Sequence, residues 1–84
     1  MSPEEEVRRG REAAIVTTNP IYQESLLIIK GQMLKAFQDT NYADSDGRDE
    51  IWRQMKIVDW LERQLASVMN TGKMASETLN LQQD

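Results

Sequence analysis

The chain of 84 residues contains no cysteine and no histidine. Without cysteine it forms neither disulfides nor thiolate metal sites, and without histidine it lacks the commonest metal ligand and general base. A chain this short buries a modest fraction of its surface, and small proteins offset the thin stability margin with disulfides, metals or oligomerisation. Of these three means of stabilisation, this composition is compatible with oligomerisation. We expect one small domain with no enzymatic activity and no cofactor.

Long apolar runs and an excess of positive charge are also missing. The longest apolar run, residues 26–29, is far shorter than the roughly 18 residues of a membrane span. The glutamates at 4–6 do not resemble the basic start of a signal peptide. The net charge of −4 and the pI of about 4.8 argue against a nucleic-acid surface covering the whole chain. We expect a soluble protein that binds no membrane and no small-molecule substrate, and the charge disfavours nucleic acid as a partner.

Two stretches have the periodicity of amphipathic helices. Residues 47–71 are preceded by Asp46, a favourable N-cap, and followed by Gly72, which suits a left-handed C-cap. The apolar residues of this stretch form one stripe that is close to the pattern of a short coiled-coil seam. Glu62 lies over this stripe, so we expect it at the edge of the contact or paired with another residue. A second helix is predicted at about 20–39, after an Asn19 N-cap. The pattern predicts an all-α fold in which 20–39 and 47–71 form an antiparallel two-helix hairpin.

Apolar residues outside the two stripes predict further contacts. Ile21 and Ile28 fall on a different face of the second helix, so either the N-terminal arm folds over them or another subunit covers them. Trp52 and Trp60 lie off the seam, and we expect Trp52 in the core and Trp60 at an interface, where Trp is enriched. The predicted interface residues, which allow the hairpin to be completed by oligomerisation, are Trp60, Trp52, Ile21, Ile28, Leu27 and Leu34.

The two ends of the chain are expected to add little to the core. Ser2 and Pro3 mark a helix start in the arm 1–18, but Gly10 weakens that helix, and we expect it frayed or ordered only against a neighbour. The polar stretch 73–84 is predicted to be a flexible tail. The hairpin itself then occupies residues 19–72.

Charged clusters in the chain have structural explanations as well as functional ones. Arg8, Arg9 and Arg11 form a possible anion contact, but pairing at i,i+4 with Glu4 and Glu5 is the favoured interpretation. Asp59 and Glu62, three residues apart, are better explained as an edge paired with Arg63 or Lys56 than as an acid/base pair. The run Asp44-x-Asp46-Gly47 suggests calcium, but the calcium-loop pattern would need ligands at Tyr42 and Arg53. We therefore predict no metal site.

Part of the chain resembles a known group of proteins. The features are an Asn19-Pro20 helix start, Gly47-Arg48-Asp49-x-x-Trp52, Asp59-Trp60-Leu61-Glu62 and Thr71-Gly72-Lys73-x-Ala75. Over residues 19–75 these resemble short helical proteins encoded among the structural and packaging genes of tailed bacteriophages. The resemblance implies a virion component or assembly factor, located in the virion or the bacterial host cytoplasm, and it brings no active site with it.

The sequence therefore predicts a non-enzymatic helical interaction protein that oligomerises or docks on a larger phage protein assembly. The alternative is a small phage-encoded nucleic-acid-binding regulator that uses Arg8, Arg9 and Arg11 with Lys30 and Lys35. A recognition helix usually has a dense basic face, whereas acids outnumber bases from residue 44 onward. The composition thus favours the interaction protein.

Overall fold

The computed structural model describes residues 1–41 and 43–82, and it is helical throughout. The helices are α1 (Pro3–Thr17), α2 (Pro20–Gln38) and α3 (Ser45–Gln82). The described residues contain no strand. The predicted all-α class is confirmed.

The first two helices begin at the caps that the sequence predicts. The Ser2 hydroxyl accepts a hydrogen bond from the Glu5 N–H at 3.2 Å, and Pro3 opens α1. The Asn19 side-chain oxygen accepts from the N–H groups of Ile21 and Tyr22 at 2.9 and 3.1 Å. These bonds satisfy backbone donors that have no partner inside the helix. The local sequence is therefore sufficient to explain the break between α1 and α2.

The start of α3 differs from the prediction by two residues. The helix begins at Ser45, and the Asp44 carboxylate accepts from the Gly47 N–H at 2.9 Å. Asp44 is therefore the N-cap, and the predicted cap at Asp46 is wrong, because Asp46 lies inside the first turn. There its negative charge still lies near the positive end of the helix dipole.

The predicted end of this helix at Gly72 is also wrong. The helix continues to Gln82, and no described glycine has a positive φ, so Gly72 is not a left-handed cap. Residues 73–82 are helical rather than a flexible tail, and residues 83–84 lie outside the described part of the chain. The physical reason is tertiary: Gly72 is buried against α1, and this contact offsets its low helix propensity.

The α1–α3 contact is a close crossing of two backbones. A Cβ atom placed on Gly10 would lie 3.0 Å from the Gly72 Cα and 3.3 Å from the Val68 carbonyl oxygen. A Cβ on Gly72 would lie 2.8 Å from the Glu6 carbonyl oxygen. The 2.8 Å distance is too short for a Cβ next to backbone, and the distances of 3.0 and 3.3 Å would each require the neighbouring backbone to move. The buried residues at this crossing are all small: Gly10, Ala13, Gly72 and Ala75. The arm is thus ordered against its own chain, and Gly10, expected to weaken it, permits the contact.

The two shorter helices lie one after the other along α3. On α1, Val7 shares a groove with Ser76, and Thr17 donates from its hydroxyl to the Met69 sulfur at 3.5 Å. On α2, Tyr22 shares a groove with Met69, and Met33 shares one with Val58. Later residues of α1 and α2 therefore meet earlier residues of α3.

The resulting shape is long and thin. The principal extents are 63 × 24 × 16 Å, and the Cα radius of gyration is 18.1 Å. A compact chain of this length has a radius of gyration of roughly 12 Å. The 38 residues of α3 alone account for about 57 Å of length at 1.5 Å per residue. A single layer this thin cannot enclose large side chains from both sides.

Candidate interaction surface

The candidate functional surface lies on α2 and the first half of α3. None of the residues of α2, all of which the structure describes, is buried. Among the described hydrophobic residues of the whole chain, only Ala13 and Ala75 are buried, and both lie at the α1–α3 crossing. The contact between α2 and α3 therefore contains no fully buried side chain.

All six predicted interface residues are exposed. Leu27 is 73% exposed, Ile21 67% and Trp60 65%, and Ile28, Leu34 and Trp52 are each at least half exposed. Trp52 is 57% exposed, so its expected place in the core is wrong. Its ring instead lies under the Lys56 ammonium, with 5.1 Å between the Nζ atom and the ring centroid. This distance is typical of a cation–π contact.

The N-terminal arm does not cover the outer side of α2. It packs against the second half of α3 through Gly10 and Ala13, and it leaves Ile21 and Ile28 in solvent. Of the two arrangements that the sequence allowed for these isoleucines, the fold-back of the arm is therefore wrong. Cover by another subunit stays a prediction.

One side of the α2–α3 contact has an ion pair at its centre. The Lys30 ammonium lies 2.7 Å from a carboxylate oxygen of Glu62, which confirms that Glu62 finds a partner. Two grooves of about 440 and 380 Å³ meet at this pair. We call this side the charged face and define it by residues that line these grooves: Leu27, Lys30, Leu34, Met55, Asp59 and Glu62.

The larger of the two grooves beside the charged face is also lined by a tyrosine. The Tyr22 hydroxyl oxygen is buried beside Leu26 and Met69, and it has no hydrogen-bond partner among the described residues. An unmade hydrogen bond at a buried polar group costs about 1–3 kcal/mol.

The opposite side of the same contact has a different character. Met33 and Val58 line grooves on both sides, so they mark the line where the two helices touch. The groove beyond them has no charged residue in its described lining. We call this side the neutral face and define it by Ile29, Gln32, Ala36, Gln54 and Ile57.

Ile57 is the surface residue that sequence reasoning missed. It is 60% exposed, and Trp60 and Leu61 follow it by three and four residues. Residues at this spacing lie on one side of a helix. The sequence therefore contains a second apolar stripe beside the seam. When only the seam is considered, Trp60 has no apolar neighbour on its side of the helix.

The remaining charged candidates are the three arginines of α1, which lie apart from these faces, and Asp59, which lies on the charged face. Arg8 pairs with Glu12 at 3.7 Å, so its i,i+4 partner is the following glutamate rather than Glu4. Arg9 and Arg11 are exposed on different sides of α1. Asp59 pairs with Arg63 at 2.9 Å, as the structural interpretation of that carboxylate expects. Exposed pairs of this kind contribute about 0–1 kcal/mol.

The described side chains offer apolar surface for burial rather than a reactive cluster. No group of three or more acidic residues within the described part of the chain is arranged to hold a metal ion. None of the described helices is both long enough and apolar enough to cross a membrane. The fold and surface together define a class: an all-helical protein with uncovered apolar helix faces.

Comparison of the chain with known protein families, with curated proteins and with solved structures finds no match.

Proposed function

We propose that this chain is a non-enzymatic helical interaction protein that docks the apolar sides of α2 and α3 on other protein chains. The observation that carries the proposal is that α2 has no buried residue although apolar side chains lie on several of its sides. A helix with this pattern normally needs several neighbours, and α3 supplies one.

Burial of apolar area is the source of affinity in this proposal. Apolar surface removed from water contributes about 25 cal/mol per Å² in gross terms. Trp52 and Trp60 are the natural anchors, because tryptophan is enriched among the residues that dominate interface energetics. In this proposal, α2 and the first half of α3 form a two-helix layer that oligomerisation completes.

The biological setting that we propose is a tailed bacteriophage, in which the chain is a virion component or an assembly factor. The support is the resemblance of residues 19–75 to small phage proteins, together with a surface suited to assembly. The partner in this setting is a larger phage protein assembly, further copies of the chain, or both.

Loss of apolar side chains on α2 should reduce particle assembly. The Ile21→Gln/Ile28→Gln variant, produced in infected cells in place of the wild type, should lower the yield of complete particles and no longer sediment with particles or their precursors. Both side chains are exposed in the isolated chain, so the change should leave its fold intact. Ile15→Gln is the matched control, because Ile15 is 69% exposed on α1, away from this surface. A normal particle yield with the double variant would contradict the proposed function.

A further inference from the structure

The two faces of the α2–α3 layer are both apolar and are not alike. Leu27 and Leu34 project on the charged face, and Ile57 projects on the neutral face. The layer separates them, since Met33 and Val58 lie between the two sets of grooves. A single partner that packs on one face leaves the other face in water.

The exposed area of the chain is large enough for two contacts. Its accessible surface is 6672 Å², whereas a compact folded monomer of 9.7 kDa exposes roughly 5,100 Å², so the excess is about 1,500 Å². A stable protein interface of standard size buries about 800 Å² on each partner. The excess reflects the elongated shape of the chain and is about the area that two such contacts would bury.

The polar groups of the two faces complement one another. The charged face has Lys30, Asp59 and Glu62 among its apolar residues. The neutral face has Gln32 and Gln54, and the Gln54 amide already donates to Glu50 at 3.5 Å. On the charged face Glu62 pairs with Lys30 and Asp59 with Arg63. A carboxylate nevertheless has lone pairs for further hydrogen bonds, to which the Gln32 amide of a neutral face can donate. Two charged faces packed together would bring the carboxylates of Asp59 and Glu62 close to a second set, at a desolvation cost.

We infer that the occupant of both faces is another copy of this chain, with the charged face of one copy packed on the neutral face of the next. This inference rests on the proposed function and names the partner. Such a contact joins two different surfaces, so a pair of copies still has one free face of each kind, a neutral face on one copy and a charged face on the other. The assembly therefore grows beyond a dimer, into a closed ring when the rotation between copies permits closure.

One variant on each face tests this arrangement. Leu27→Arg blocks the charged face and Ile57→Arg blocks the neutral face, and both positions are at least 60% exposed in the isolated chain. Ile15→Arg is the control on α1. The molar mass of each protein, measured by light scattering behind a sizing column, is compared with that of a 1:1 mixture of the two variants. Circular dichroism verifies that each variant keeps its helix content, and Leu27→Gln with Ile57→Gln replaces any variant that loses it.

The wild type and the control should have at least three times the 9.7 kDa mass of one chain. Each face variant alone should have the mass of one chain, and the mixture should form a 1:1 complex of twice that mass, since one intact face of each kind remains. Variants that each dimerise alone would show that like faces pair, which overturns the inference. A wild-type monomer or dimer overturns it as well. The particle-yield experiment is independent of these masses, so it shows separately whether the proposed function fails.

Discussion

Gly72→Ala should destabilise the fold by about 1–3 kcal/mol, although alanine is the better helix former. The added Cβ would lie 2.8 Å from the Glu6 carbonyl oxygen and 3.0 Å from the Gly10 Cα, and both are backbone atoms in a packed helix. The two helices must separate to admit the methyl group. Separation would also loosen Ala13 and Ala75, the two buried hydrophobic residues among those described.

Gly31→Ala is the matched control, and its effect should have the opposite sign. Gly31 lies inside α2, and a Cβ there meets nothing within 4 Å. Alanine should therefore stabilise the chain by about 1 kcal/mol through helix propensity alone. Gly31 therefore makes no close helix contact within this chain.

Urea unfolding of the two variants and the wild type, at one low protein concentration, measures the effects. The account expects the free energy of unfolding to fall for Gly72→Ala and to rise for Gly31→Ala. Equal stabilisation by both substitutions would show that α1 does not pack on α3 at this crossing.

Removal of residues 73–84 should unfold α1. Ala75 is buried, Leu79 is half-buried, and Ser76 lines a groove with Val7 of α1. Without this part of α3, the first half of α1 keeps only its contact with residues up to Gly72. A 15-residue helix with a central glycine is marginal in water by itself.

Circular dichroism and amide hydrogen exchange measure this loss. We expect the helical signal to fall by more than the residues removed, with fast exchange across α1 and little change in α2. Leu81→Ser is the control, because Leu81 is 76% exposed and its replacement should leave α1 protected. Slow exchange in α1 after the truncation would mean that residues 73–82 are dispensable, as a flexible tail would be.

Local signals in the sequence predicted the helix starts well, and tertiary contacts explain the misses. Ser2 and Asn19 cap their helices through bonds to residues two or three positions away, so the sequence nearby is sufficient. A glycine does not distinguish between two predictions, because it suits both a left-handed helix cap and a close contact between two helices. Gly72 serves the second role, and its partner is 62 residues away in the sequence. The shared spacing of Gly10-x-x-Ala13 and Gly72-x-x-Ala75 is the one signal that could have indicated the crossing.

The candidate surface was partly predictable for a similar reason. Helical periodicity places Ile21 and Ile28 away from the stripe that faces α3, and this needs no tertiary information. Whether α1 would cover them depended on where α1 packs, which the Gly10 crossing decides. Trp52 was expected in the core because a large ring is usually buried, but the thin layer has no interior of that size.

The central claim is that other protein chains cover the exposed apolar side of α2 in the functional assembly. The chain has no cysteine, so a single thiol can report cover at one position. Leu27→Cys and Ile15→Cys place that thiol at sites that are 73% and 69% exposed in the isolated chain. The measurement is the rate of maleimide labelling in infected cells that contain the assembled protein, compared with the rate for the dilute purified chain.

In the dilute chain both thiols should react at similar rates. In the cells, labelling at position 27 should slow by about a factor of ten or more while labelling at position 15 does not, because thiol reactivity follows solvent access. Equal labelling of the two positions in the cells would contradict the account, because α2 would then be as exposed in the assembled protein as it is in the isolated chain.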